Sequence, residues 1–251
     1  MMRQLLFALV LLMPASAFAA GGESVPFHFD ANLGNQASLQ RGAKLFMNYC
    51  SGCHSLEYMR YQRIAEDLDI PEDVMENNLM LTQGKIHDTI QGTMPSEEAA
   101  EWFGKAPPDL SLTARERGAD WIYSFLLSFY LDDSRPTGVN NVVMSNTAMP
   151  AVLAPLQGYQ VLEHGEDGHG DAEGGGEGHG GGEPQFKLVQ DGELNPAQYR
   201  SAVGDLTNFL VYVGEPAKMV RYSLGFKVIV FLLLFTGLAY MLKREFWRDV
   251  H

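Results

Sequence analysis

The chain's entire cysteine content lies within five residues, Cys50-Ser51-Gly52-Cys53-His54. A C-x-x-C pair can form a disulfide, act as a redox dithiol, or supply half of a zinc site. A redox dithiol of the thioredoxin type expects a strand before it and βαβ units around it. A zinc site needs two more ligands at short spacing, and no other cysteine exists to provide them. Covalent haem attachment also uses the histidine. The two thiols add to the porphyrin vinyl groups as thioethers, and the adjacent imidazole becomes the proximal iron ligand. Two intervening residues let one turn of chain present both sulfurs to one macrocycle edge, and the next residue then falls beneath the iron. The motif predicts one covalently bound haem c, attached at Cys50 and Cys53 and ligated by His54.

The ends of the chain set its compartment. Residues 1–20 have an early positive charge at Arg3, an apolar run from Leu5 to Met13, Pro14, and an A-x-A site at Ala17-Phe18-Ala19. This is the layout of a secretory signal peptide, and the apolar run is too short to span a bilayer. A second apolar stretch, Tyr222 to Leu242, is long enough as a helix to cross roughly 30 Å of hydrocarbon. Its one internal charge, Lys227, lies near one end and can snorkel, while Tyr240 and Trp247 suit the opposite interface. Flanking charges balance and do not orient the helix, but export from the N-terminus does. The expected layout is a haem domain over 21–220 in the periplasm, an anchor over 221–243 in a bacterial inner membrane, and a cytoplasmic tail over 244–251. The net charge of −13 argues against nucleic acid and for a basic protein partner.

Helical periodicity flanks the motif. Ser38 is a candidate N-cap, with Leu39, Ala43 and Phe46 at helical spacing before Cys50. Gly42 interrupts this run at a cost of up to about 1 kcal/mol against alanine, which calls for a reason such as close approach by another helix. A second helix is expected late in the chain, capped by Asn195 and Pro196 and stopped by Gly214, with Val203, Leu206, Phe209, Leu210 and Val213 on its apolar face. This pairing resembles class I cytochromes c, whose first and last helices cross at a glycine and an aromatic residue. The resemblance sets Gly42 and Phe46 against Leu206 and Phe209.

A methionine commonly closes such a haem, and its soft sulfur favours the reduced iron. Setting aside those in the end segments or too near the motif leaves Met75, Met80, Met94, Met144, Met149 and Met219. Two of these precede a proline: Met94 in GTMP and Met149 in TAMP. The stretch KAPPDLSLTARERGADWIYSFLLSFY, from Lys105 to Tyr130, is similar to cytochrome c1, the haem subunit of the bacterial cytochrome bc1 complex. In that family the ligand methionine follows this block, with a proline after it and L-x-G closing the segment. The resemblance therefore implies Met149, with Pro155 to Gly158 as the closing PLQG, in preference to Met94. It further implies Arg115 on a haem propionate, Pro107 and Pro108 as a wall against the haem, and Tyr61 and Trp121 in the pocket.

The implied fold is an all-α class I cytochrome c fold with long inserted loops and one C-terminal transmembrane helix. The implied role is one-electron transfer from a Rieske iron–sulfur protein to a soluble or tethered cytochrome c. Cytochrome b would complete a dimeric complex, and the chain would have no catalytic site of its own. Two rivals share the sequence chemistry: an anchored haem c protein of another oxidase or reductase, and an open-site haem enzyme or gas sensor. Two features depart from the family. Lys105 places a positive charge just before PPDLS. Residues 163–183 form a Gly/Glu/His-rich run with His164, His169 and His179, expected to be a solvated loop in which ordering entropy opposes metal binding.

Overall fold

The computed structural model describes residues 25–81, 84–163 and 184–248. The expected signal peptide, residues 164–183 of the Gly/Glu/His-rich run and the last three residues of the tail lie outside the described residues. Helix α1 (Gln36–Tyr49) begins where Asn35 Oδ1 accepts the amide of Ser38 at 3.2 Å. Asn35 is thus the N-cap, correcting the expectation for Ser38. Ser38 turns inward instead: its hydroxyl donates to Asp205 Oδ1 at 2.6 Å and accepts from Asn208 Nδ2 at 2.9 Å.

After the cysteine motif come β1 (Leu56–Arg60), α2 (Tyr61–Asp67), α3 (Glu72–Asn78) and β2 (Thr89–Ile90). Helix α4 (Ser96–Phe103) is closed by Gly104 at φ 76, a left-handed position that favours glycine. Helices α5 (Thr113–Glu116) and α6 (Ala119–Leu127) follow, then strands β3 (Phe129–Leu131) and β4 (Val139–Asn141). The chain continues through α7 (Ala154–Gln157), β5 (Gly158–Glu163), β6 (Gln185–Asp191), α8 (Pro196–Gly214) and α9 (Lys218–Phe246). The domain is mostly helical, as expected. Three antiparallel two-stranded ladders, β1 with β2, β3 with β4, and β5 with β6, occupy the inserted segments. The Gly/Glu/His-rich run leaves and rejoins the last of these at the pair Glu163 and Gln185.

The packing centre is the crossing of α1 and α8. Helix α8 starts in a full capping box, with Asn195 and Gln198 exchanging side-chain bonds with each other's backbone and Pro196 in the first turn. A Cβ on Gly42 would stand 2.1 Å from Asp205 O and 2.6 Å from Phe209 Cβ. The glycine therefore lets the two backbones touch, and the expected contact is present. Phe46 and Phe209 are fully buried there with ring centroids 5.8 Å apart. Arg41 closes the edge of this crossing by donating Nε to Asp205 Oδ2 at 2.6 Å and Nη2 to Oδ1 at 2.9 Å. At the other end, α9 has no buried residue and is the one described helix long and apolar enough to cross a membrane. It has the form of a single-pass anchor.

Candidate functional site

The cysteine motif is wound about one carbonyl. Cys50 closes α1 by donating its amide to Phe46 O at 2.9 Å. Its own oxygen then accepts from both Cys53 N at 3.0 Å and His54 N at 2.8 Å. The two thiols are free. Burial, with the neighbouring Cys53 second, pushes the Cys50 thiol up to about 12, so it is held protonated. Burial also lowers the pKa of His54, outweighing the Pro108 carbonyl and Asp109, which act the other way. The neutral ring has a defined tautomer: Nδ1 lies 2.7 Å from Pro108 O, and a carbonyl can only accept. The proton is therefore on Nδ1, and Nε2 carries the lone pair. A ligating imidazole is held in this way, with its second nitrogen donating to a carbonyl. Two thiols and a free imidazole lone pair on one turn are the donor set that a haem c needs.

The segment after Pro108 is fastened to the residues after His54. Leu110 N donates to Ser55 O at 2.9 Å, Glu57 N to Asp109 Oδ2 at 2.8 Å, and Tyr58 N to Ser111 Oγ at 3.2 Å. Asp109 Oδ1 also accepts from Ser111 N at 2.9 Å. Asp109 and Ser111 thus hold the Pro108 carbonyl over the imidazole. Sequence reasoning singled out the prolines and missed these two residues, although a short polar side chain on each side of a leucine after two prolines is a readable turn signal. Pro108 reaches the site through its carbonyl, while Pro107 is half-buried beside it.

GTMP is tied to the back of the motif. Gly92 N donates to Ser55 Oγ at 2.8 Å, Thr93 Oγ1 to Gly52 O at 2.9 Å, and Met94 N to Gly52 O at 3.1 Å. A Cβ on Gly92 would stand 2.9 Å from Cys53 O. Met149 belongs to a different neighbourhood. Its amide donates to Thr147 Oγ1 at 3.3 Å, and its side chain lines a small apolar pocket with Leu126, Phe129, Leu153 and Tyr199. The PLQG segment ends that loop at Gly158, at φ 87, where a Cβ would meet Gln190 O at 2.0 Å. Leu194 N and Glu193 N then bond Leu156 O and Pro155 O at 3.0 and 2.9 Å, tying the methionine loop to the start of α8.

Arg115 is exposed on α5, and no described carboxylate pairs with it, whereas Arg117 lies 3.6 Å from Glu116. Trp121 is buried with its Nε1 unpaired among the described residues, and its ring is stacked on Phe125 with the Arg117 guanidinium 5.3 Å from its centroid. Tyr61 sits in the hydrophobic core at the start of α2. The structure thus gathers Cys50, Cys53, His54 and Pro108 into one cluster. Arg115 and Trp121 lie on the two helices that follow, and Met149 packs between α6, α7 and α8.

Comparison with known proteins gives the chain its family. The sequence model of the Cytochrome C1 family matches residues 27–162 and 187–250, both sides of the Gly/Glu/His-rich run. The chain is 47% identical over 256 residues to a cytochrome c1 of Allochromatium vinosum, covering 100% of both. It is 40% identical over 254 residues to the ammonia monooxygenase gamma subunit of Nitrosomonas europaea, again covering 100% of both. A cytochrome b/c1 of Bradyrhizobium diazoefficiens is 29% identical over 86% of this chain and 34% of its own length.

Proposed function

Because the chain belongs to the cytochrome c1 family, we propose that it is the haem c subunit of a quinol-oxidising bc1 complex, taking one electron from a Rieske iron–sulfur protein and giving it to a periplasmic cytochrome c. A covalently held haem supplies one-electron oxidation and reduction when bound. The chain's residues supply the rest. Cys50 and Cys53 would hold the group through thioethers, His54 would offer Nε2 to its metal, and Met149 would be the second side chain to close it. Arg115 would pair with a propionate, Trp121 and Tyr61 would belong to the pocket, and Pro107 and Pro108 would form a wall against the group. The observation that carries this reading is the bond from His54 Nδ1 to Pro108 O, which orients the ring and frees its other nitrogen. No acid, base or nucleophile is required, since the transfers are outer-sphere. The exported domain, the single anchor and the short inner tail complete the proposed layout, with cytochrome b as membrane partner.

A second reading has one specific support, the 40% identical relative named as an ammonia monooxygenase subunit. On that reading the same haem site serves a different membrane complex. Mild detergent extraction of tagged full-length chain separates the two. Recovery of a quinol-reducible assembly with b-type haem and an iron–sulfur protein supports the bc1 role. Recovery with monooxygenase subunits and no b-type haem contradicts it.

A further inference from the structure

Helix α8 does not run on into α9. Between Gly214 and Lys218 lies a link of three residues, Glu215-Pro216-Ala217, and Pro216 has no N–H with which to continue a helix. Backbone bonds hold the link at both ends. Glu215 N donates to Tyr212 O at 3.1 Å, Lys218 N to Glu215 O at 3.1 Å, and Arg221 N to Ala217 O at 2.8 Å. Across the link, Arg221 Nη2 meets Glu215 Oε1 at 2.8 Å. The Glu215 side chain is 23% exposed and that of Arg221 61%. A carboxylate seated at the end of the domain is therefore reached by a guanidinium from the first turn of the anchor.

The same corner abuts the candidate site. A Cβ on Gly214 would stand 3.3 Å from Arg115 Cγ and 3.5 Å from Ala114 Cβ, so the last residue of α8 rests on the helix that carries Arg115. A continuous run of contacts leads from α9 through the Glu215–Arg221 pair and Gly214 to α5.

We propose that Glu215 and Arg221 are positioning residues whose ion pair fixes the angle between anchor and domain, and with it the orientation of the haem site above the membrane. This rests on the haem reading given above. A partly exposed pair contributes little to folding, so its loss acts on geometry: the domain stays folded but swings on the three-residue link. Electron relay between a membrane-bound donor and an external acceptor depends on that orientation.

Electron paramagnetic resonance of the oxidised full-length chain in oriented membrane multilayers reads the haem tilt directly. The wild-type low-spin signal should change with sample angle. Glu215→Gln and Arg221→Gln should each lose that angular dependence with an unchanged optical spectrum, and Glu215→Arg combined with Arg221→Glu should restore it. Equal angular dependence in wild type and both single variants would overturn the proposal. Absence of any low-spin haem signal in the wild type would sink the haem reading instead. The clamp is then decided by tryptic cleavage after Lys218 in the detergent-solubilised chain: faster cleavage in Glu215→Gln supports it, and an equal rate overturns it.

Discussion

Met149 and Met94 are alike in sequence context and differ in what their loops are tied to. Met94 is bonded to Gly52, inside the cysteine motif, whereas Met149 is held among α6, α7 and α8. Met149→Leu keeps an apolar side chain of similar volume and should cost less than ~1.5 kcal/mol of packing. It removes the sulfur lone pair, so the near-infrared sulfur-to-iron band of the oxidised protein should vanish and the potential should fall sharply. Met94→Leu should leave both unchanged. If the two variants exchanged behaviours, GTMP would be the ligand loop. Cys50→Ala and Cys53→Ala should each weaken or abolish covalent haem, and wild-type haem stain in both after denaturing electrophoresis would contradict the attachment. The cysteine–histidine cluster was legible because it is confined to five consecutive residues. Asp109 and Ser111 were not, because their role is defined by amides some fifty positions earlier in the chain.

At the scale of elements, the crossing of α1 and α8 was legible from Gly42 and from two apolar faces at helical spacing. Gly42→Ala should destabilise the domain by about 1–3 kcal/mol through overpacking against Asp205 O and Phe209. Its helix propensity returns at most about 1 kcal/mol of that. A denaturation midpoint equal to wild type would contradict the close approach. The cap of α1 was misread because Ser38 has the right chemistry for a cap, yet its partner Asp205 lies on α8. The β5 and β6 hairpin was hidden because a low-complexity run separates its two strands. A strap before α1 was also unread: Phe27 N donates to Ser124 Oγ at 3.0 Å, Phe29 N to Asp120 Oδ1 at 2.8 Å, and His28 Nδ1 meets Asp120 Oδ2 at 2.9 Å. Asp120 and then Asp30 raise the His28 pKa above its usual value. A raised folded pKa gives stabilisation that is complete below the usual imidazole range and lost as pH rises through the folded value. Hydrogen exchange at the Phe29 amide, compared with His28→Gln at each pH, should show extra protection in the wild type only on the acid side. Equal protection in both proteins at low pH would contradict it.

At the scale of the whole molecule, the link Glu215–Ala217 connects the folded domain to α9, which has no buried residue. A chain ending at Val220 should therefore be exported, bind haem and leave the membrane fraction. Continued membrane attachment after the complex is dissociated would point to a second anchor. With a net charge of −13, its reaction with a basic cytochrome should slow as ionic strength rises. On the proposed reading the protein is an electron carrier whose haem would be closed by two of the chain's own side chains. The optical spectrum of the reduced full-length protein, recorded with and without carbon monoxide at neutral pH, tests it most directly. Almost no change is expected on adding the gas, whereas a prompt shift of the spectrum would place an open iron, and a ligand-binding function, where a closed relay is proposed.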